Sequence, residues 1–158
     1  MRFQDYMTDV TQKAADEAFR YAGSVPADKL EWKPAESARS VLDQCQELAL
    51  CPKWALEIIG DQQTPEWNEE TQAKVKAEMQ QFPTVEACQA ECNRSLKALF
   101  ELFGRLSDED LKRTKWLPYD GGRDFTVAEM MDYPRWNFTY HLGQIAYVQT
   151  IYGDNDMH

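Results

Sequence analysis

The chain lacks any apolar run long enough to cross a membrane, because none approaches the roughly 20 residues that a bilayer-spanning helix requires. Its first residues also lack the apolar core of a secretory signal, since acidic side chains occur as early as Asp5 and Asp9. Both features argue against a membrane or secreted protein. We therefore expect a cytoplasmic protein.

Positive charge is also scarce. Lys and Arg number 17 against 27 Asp and Glu, which gives a net charge of −10 and a pI of about 4.7. The basic residues are scattered, and the short cluster at 112–115 follows the acidic segment 107–110. A field of this sign repels phosphate backbones. We expect neither nucleic acid nor a membrane as a partner.

Cysteines are few and do not form a known metal-binding pattern. The four are Cys45, Cys51, Cys88 and Cys92, and their spacings match no common zinc knuckle. Cys88 and Cys92 are one helical turn apart within an apolar pattern. We expect reduced, buried thiols that behave as small hydrophobic side chains. A four-thiolate metal site and redox chemistry at one exposed thiol remain as alternatives.

The composition favours a globular helical protein. With 158 residues, 43% of them apolar and 12% aromatic, the chain predicts one domain over residues 1–158 with a sizeable core. Apolar residues recur at helical spacing in four segments. The predicted helices span residues 2–22, 37–59, 84–105 and 126–152. Thr84 is a candidate N-cap for the third, and Thr126 with Glu129 forms a candidate capping box for the fourth.

The connections and two prolines add detail to this all-α prediction. The segment between the second and third helices is long and polar, and its middle, from Asn68 to Gln81, is compatible with an exposed helix. A long crossover of this kind gives a four-helix bundle that is not simply up-down-up-down. Pro52 and Pro134 lie inside predicted helices, where proline removes a backbone hydrogen bond, so we expect a kink at each.

Only two histidines occur, and one of them lies on an apolar stripe. His158 is terminal, whereas His141 falls among apolar residues of the fourth predicted helix. A ring nitrogen directed into a bundle needs a proton partner or a metal. Asn137, one turn earlier, is a second polar group on nearly the same face. Tyr140 and Gln144 are neighbours that could add a phenol or orient the ring.

The segments L-E-W-K-P, S-V-L-D-Q-C-Q-E-L-A and N-F-T-Y-H-L-G-Q-I-A-Y follow one another in this order over nearly the whole chain. They resemble the DinB/YfiT-like superfamily of four-helix-bundle metalloproteins, most specifically at H-L-G-Q-I over residues 141–145. The resemblance implies a divalent metal at one end of the bundle. It is held by three histidines: one from the second helix and two, four residues apart, from the fourth.

Of the three histidines that the resemblance implies, this chain has one. His141 matches the second position on the fourth helix, Asn137 stands at the first, and Glu47 stands at the position on the second helix. Glutamate and asparagine both offer oxygen ligands, which favour harder ions over zinc. Glu47, Asn137 and His141 are therefore the candidate metal ligands, with Mn, Fe, Ni or Zn as the candidate ions.

Each candidate ligand also has a simpler role available. Glu47 lies at the edge of its apolar stripe and could be solvated, and His141 could be a structural imidazole bonded to it. Asn137 could bond backbone freed by Pro134.

Two functions from different classes follow. The resemblance implies a metal-dependent small-molecule enzyme, of the hydrolase or thiol S-transferase type. The loss of two histidines instead favours a non-catalytic small-molecule binding module or a dimeric interaction module on the same bundle. Family resemblance and aromatic content both favour a homodimer.

Overall fold

The structure is a computed structural model that describes residues 1–60, 66 and 68–158. The described residues form five α-helices and one two-stranded sheet. The helices are α1 Phe3–Gly23, α2 Val41–Ile59, α3 Glu69–Met79, α4 Val85–Arg105 and α5 Val127–Ile151, and the strands are β1 Thr114–Leu117 and β2 Arg123–Thr126. The prediction of an all-α four-helix bundle is confirmed, with α1, α2, α4 and α5 as its long helices.

The predicted start of the second helix is wrong by four residues. Residues 37–40 are not helical, and α2 begins at Val41. Ser40 is the N-cap: its backbone is extended, and its hydroxyl accepts a hydrogen bond of 3.1 Å from the Asp43 backbone nitrogen. A serine hydroxyl that satisfies a free backbone donor in this way fixes where a helix begins. The apolar stripe indicates which face of α2 is buried, but it does not indicate the residue at which the helix begins.

The other predicted caps are confirmed. The Thr84 hydroxyl accepts from the Ala87 backbone nitrogen at 3.1 Å. Thr126 and Glu129 form the predicted capping box at the start of α5, with bonds of 2.7 and 3.2 Å between side chains and backbone nitrogens. Pro52 and Pro134 lie inside α2 and α5, which continue through them. The kinks expected there remain predictions.

The four long helices pack as two parallel pairs. In the pair α1 and α5, the Gln149 amide donates to the Tyr21 carbonyl at 3.3 Å. In the pair α2 and α4, Cys45 lies beside Cys88 and Cys51 beside Cys92. The two pairs run antiparallel to each other, with α1 against α4 and α2 against α5. The order along the chain is therefore up, down, down, up.

This topology explains the long crossover. Because α2 and α4 are parallel neighbours, the chain must return the full length of the bundle between them. The connection contains the exposed helix α3, as predicted, and Asn68 caps it in a box with Thr71. An ion pair between Lys53 of α2 and Glu78 of α3 holds the crossover against the bundle.

A β-hairpin between α4 and α5 was not predicted. Strands β1 and β2 pair antiparallel, with Thr114 opposite Thr126 and Leu117 opposite Arg123. Asp120, Gly121 and Gly122 all adopt positive φ in the turn, a conformation that glycine reaches without steric cost. A side chain at Gly122 would also meet the Trp116 ring at 2.8 Å. Four-residue strands carry too little periodicity for a sequence pattern to reveal them.

All four cysteines are buried and unpaired in the core. Burial raises the pKa of the Cys51 and Cys88 thiols to about 12, and it also raises the pKa of the Cys45 and Cys92 thiols. The alternative of an exposed redox thiol is therefore wrong. None of the helices in the described part of the chain is both long and apolar enough to span a membrane.

We predict that the native protein reacts with a chromogenic disulfide reagent at least about a hundredfold more slowly than the protein unfolded in guanidinium, because the thiols are buried and protonated. The unfolded chain, as the control, should react at all four cysteines. Fast, stoichiometric labelling of Cys88 or Cys92 in the native protein, located by mass spectrometry, would contradict this prediction.

Candidate functional site

The three candidate ligands meet where α2 crosses α5. The His141 Nε2 atom lies 3.0 Å from the Glu47 Oε1 atom. The Asn137 side-chain amide donates to the same carboxylate oxygen at 3.4 Å. Asn137 and His141 are one turn apart on α5, and the antiparallel packing of α2 brings Glu47 between them. The residues predicted from the sequence are thus adjacent, although adjacency alone does not make them metal ligands.

The group lies at the edge of the core. His141 and Asn137 are 2% and 3% exposed, whereas the Glu47 side chain is 23% exposed. Two buried polar groups on α5 therefore face a carboxylate that reaches solvent. Any ion, proton or small molecule that enters from outside meets Glu47 first.

Gln44 is a site residue that the sequence reasoning missed. Its side-chain oxygen lies 3.0 Å from the His141 Nδ1 atom, and the side chain is 1% exposed. Gln144, which the sequence suggested as the partner that orients the ring, makes no such contact with His141 in the described structure. A signal was available, because Gln44 is three residues before Glu47 and so lies on the same face of α2.

Arg39 is the second residue that was missed. It forms an ion pair with the Glu47 Oε2 atom. It also donates to the Asp43 carboxylate at 2.8 Å and to the Asp43 carbonyl at 2.9 Å. The residues Arg39, Asp43 and Glu47 recur at steps of four, which places them along one side of α2 and its approach. One guanidinium is shared by two carboxylates, so the cluster keeps a net negative charge.

The surroundings set the ionisation of Glu47. Partial burial alone would raise the pKa of its carboxyl group, but hydrogen bonding and charge from His141, and then from Arg39, outweigh burial and hold that pKa at about 2. Glu47 is therefore an anion at neutral pH.

With the Gln44 amide oriented as in this structure, the hydrogen bonds around His141 require a cation next to Nε2. In the amide orientation of this structure, Gln44 presents its oxygen to Nδ1, so Nδ1 carries the proton. In a neutral ring, Nε2 would then point a lone pair at the Glu47 carboxylate from 3.0 Å, which is repulsive. A second ring proton or a metal ion between the two atoms removes the repulsion. Turning the Gln44 amide over is the remaining solution, and it leaves a neutral ring that donates from Nε2.

The distance between His141 Nε2 and Glu47 Oε1 suits two ligands of one metal ion. Two ligand atoms about 2.1 Å from one ion, at right angles to each other, are about 3.0 Å apart. Gln44 would act as the hydrogen-bond acceptor that metal-binding histidines usually have on their other nitrogen. In the described residues no group of three His, Cys, Asp or Glu is placed to hold a metal. A third ligand would be water or the Asn137 side-chain oxygen. That oxygen takes the place of the amide nitrogen beside Glu47 once the amide is turned over.

Aromatic and thiol groups surround the site. The Tyr140 ring meets the His141 ring edge-on, with centroids 5.3 Å apart, but Tyr140 is 51% exposed, so its phenol is not enclosed with the ligands. Tyr140 stacks on the exposed Trp136 at 5.3 Å. On the buried side, Cys51 contacts Asn137 and Tyr133. These residues fix the α5 side chains without adding a further strong ligand.

A sequence model of the DinB family matches residues 3–154. The chain belongs to the DinB family. No curated protein matches it in sequence.

Solved structures show the same fold at low sequence identity. YfiT from Bacillus subtilis, described as a probable metal-dependent hydrolase with an unusual four-helix bundle topology, superposes with a TM-score of 0.75 and 13% identity over 95% of this chain and 87% of that one. A conserved protein from Enterococcus faecalis gives 0.69 and 12%, over 96% and 97%. The colibactin self-resistance protein ClbS, solved in complex with double-stranded DNA, gives 0.65 and 16%, over 92% and 94%. At these identities the likeness establishes the fold alone.

We predict that the free energy of unfolding of this DinB-family protein falls in the acidic pH range because of Glu47. Its folded-state pKa of about 2 is below the ordinary 4.5. The folded state therefore binds fewer protons, so the stabilisation is complete above about pH 4.5 and is lost as the pH falls toward 2. Glu47→Gln should lower the free energy of unfolding at neutral pH by about 2–3 kcal/mol, a figure reduced for solvent screening.

Denaturant titrations from neutral to acidic pH, with a chelator present, measure this effect. Asp43→Asn is the matched control, because Asp43 shares Arg39 but not His141; it should cost about 1 kcal/mol or less. The assignment is wrong if Glu47→Gln retains the pH dependence of the native protein between pH 4.5 and 2.

Proposed function

We propose that the protein is a metal-dependent enzyme that acts on a small molecule, of the hydrolase or thiol S-transferase type. Glu47 Oε1 and His141 Nε2 would hold the ion, with the Asn137 amide oxygen as a weaker third ligand. The observation that carries the proposal is the 3.0 Å separation of Nε2 and Oε1, combined with a Gln44 oxygen on Nδ1. The description of YfiT as a probable metal-dependent hydrolase supports it.

The residues of this chain have distinct roles in that proposal. A divalent ion in such a site supplies Lewis acidity to a water or a thiol. Gln44 fixes the ring orientation and leaves Nε2 as the ligand atom. Arg39 holds the second oxygen of Glu47, so that only Oε1 is directed at His141. Because Glu47 is the exposed member, substrate would approach from its side of the cluster.

A second function is favoured by one specific observation. Arg39 already forms an ion pair with Glu47, and a single additional proton on His141 would complete the network without any metal. In that case the cluster ties α2 to α5, and the protein is a non-catalytic small-molecule binding or dimeric interaction module. The two functions differ in which cation lies between Nε2 and Oε1.

Calorimetric titration of the chelator-treated protein with Mn²⁺, Fe²⁺, Ni²⁺ and Zn²⁺ decides between them. We predict binding of one ion, and weaker binding in acid than at neutral pH, because the ligands must be deprotonated. His141→Ala should abolish binding while circular dichroism shows the helices retained. Gln44→Leu should weaken binding by about 10–100-fold.

Gln144→Ala is the matched control, since Gln144 lies three residues after His141 but does not contact it; it should bind as the native protein does. If none of the four ions binds and nitrogen NMR shows both ring nitrogens of His141 protonated at neutral pH, the metal proposal fails and the binding module remains.

We further propose that the natural ligand is a small molecule in the cytoplasm rather than a nucleic acid. ClbS has been solved with double-stranded DNA, but this chain has a net charge of −10 and no basic stripe. We predict no shift of a duplex DNA at physiological salt in a fluorescence anisotropy titration, with ClbS as the positive control. A salt-dependent affinity in the micromolar range would contradict this.

A further inference from the structure

Arg39 has more hydrogen-bond donors than the described residues use. A guanidinium group carries five N–H donors: one on Nε and two on each terminal nitrogen. The Nε atom donates to the Asp43 carboxylate at 2.8 Å, Nη2 donates to the Asp43 carbonyl at 2.9 Å, and Nη1 donates to the Glu47 Oε2 atom. Within the part of the chain that the structure describes, one N–H on each terminal nitrogen is therefore left to donate elsewhere.

These two donors belong to a side chain that is both fixed and accessible. The bonds to Asp43 and the ion pair with Glu47 hold the guanidinium in place. The side chains of Arg39 and Glu47 are nevertheless 36% and 23% exposed. A fixed guanidinium with N–H groups to spare is suited to bind the oxygens of a carboxylate or a phosphate. A small molecule that reaches Glu47 from solvent therefore also meets Arg39.

The charge of the cluster determines when an anion is accepted. Arg39 contributes +1, and Asp43 and Glu47 contribute −1 each, so the charge without an ion is +1 − 2 = −1. A His141 ring that ligates a metal is neutral. A divalent ion then changes the charge of the cluster to −1 + 2 = +1. The metal-free cluster repels an anion and the ion-bound cluster attracts one, so the ion binds first and the anion second.

The charge of the whole chain limits the size of that anion. Its net charge of −10 produces a field that opposes the approach of a polyanion. One ion and one guanidinium compensate a single negative charge at short range, where salt screens least. A small molecule with one carboxylate satisfies both conditions, whereas the phosphate backbone of a nucleic acid does not.

We propose that the substrate of the candidate site is a small carboxylate, and that Arg39 is the residue that binds its charged group. The carboxylate would accept hydrogen bonds from the two remaining donors, while Arg39 keeps its ion pair with Glu47. This inference rests on the proposed function, because the cluster is positive only when a divalent ion is bound.

Acetate and acetamide test the charge of the substrate, because the two probes have nearly the same shape and differ by one charge. If acetate binds only to the ion-bound protein, it must also tighten the binding of the ion, since coupling between two sites is reciprocal. The dissociation constant of the ion, measured by calorimetry, should be at least about tenfold lower in about 50 mM acetate than in about 50 mM acetamide at the same ionic strength.

Substitution of Arg39 tests which residue is responsible. In Arg39→Met the ion should bind equally well in acetate and in acetamide, because the charge and the donors are gone. Arg39→Lys keeps the charge but loses the planar group, so acetate should have an intermediate effect. A purely structural role for Arg39 would change the affinity for the ion in both probes alike. The ratio between them therefore isolates the binding of the anion.

Arg135→Met is the matched control. The Arg135 side chain is also 36% exposed and also forms an ion pair, but its partner is Asp132 rather than Glu47. This variant should keep the full effect of acetate. Acetate also binds weakly to the free ion in solution, and this contribution is the same for every variant.

Two results would overturn the inference and leave the proposed function standing. One is a native protein that binds the ion with the same affinity in acetate and in acetamide. The other is an Arg39→Met variant in which acetate keeps its full effect, which would show that the ion alone attracts the anion. If neither the native protein nor Arg39→Met binds Mn²⁺, Fe²⁺, Ni²⁺ or Zn²⁺ in either probe, the proposed function and the inference both fail.

Discussion

A carboxylate at the edge of the core is the constraint on which the arrangement of α2 and α5 depends. A partly buried anion without partners would be costly, so Glu47 requires positive or hydrogen-bonding groups on every side. Arg39 supplies one from the approach to α2, and His141 and Asn137 supply the others from α5. The packing of the two helices in register is therefore set by polar contacts as well as by the apolar stripes. A slip of one turn would leave the carboxylate without its α5 partners.

The amino-acid sequence was sufficient to identify Glu47 and His141 but not the two residues that hold them in place, Gln44 and Arg39. His141 was identifiable because an ionisable ring on an apolar stripe must face inward. Glu47 followed from its register in the family pattern. Gln44 was missed although its position three residues before Glu47 puts both on one face of α2, because its contact with His141 is visible only once the opposite helix is placed. Arg39 was missed because it precedes α2 and lies outside the apolar stripe from which the site residues were identified.

The same distinction holds for the fold. Long helices with strong periodicity were predictable to within about a turn, since burial of one face repeats over many residues. The start of α2 depends on a single hydroxyl at Ser40, and the hairpin depends on three consecutive positive φ angles near Gly121. Such features are set by one or two residues. A periodic pattern averages over them, so they emerge only when the backbone is known.

The parallel pairing of α1 with α5 has a consequence for how the chain reaches its fold during synthesis. Tyr21 and Gln149 are joined by a hydrogen bond across 128 positions of sequence. During synthesis, α5 emerges from the ribosome after α1, α2 and α4. Until then the apolar face of α1 can contact only α4 among the elements it packs on extensively. Contacts of such long sequence separation slow folding, because a large loop must close before they form. Until α5 is made, α1 therefore lacks the helix on which it packs most extensively.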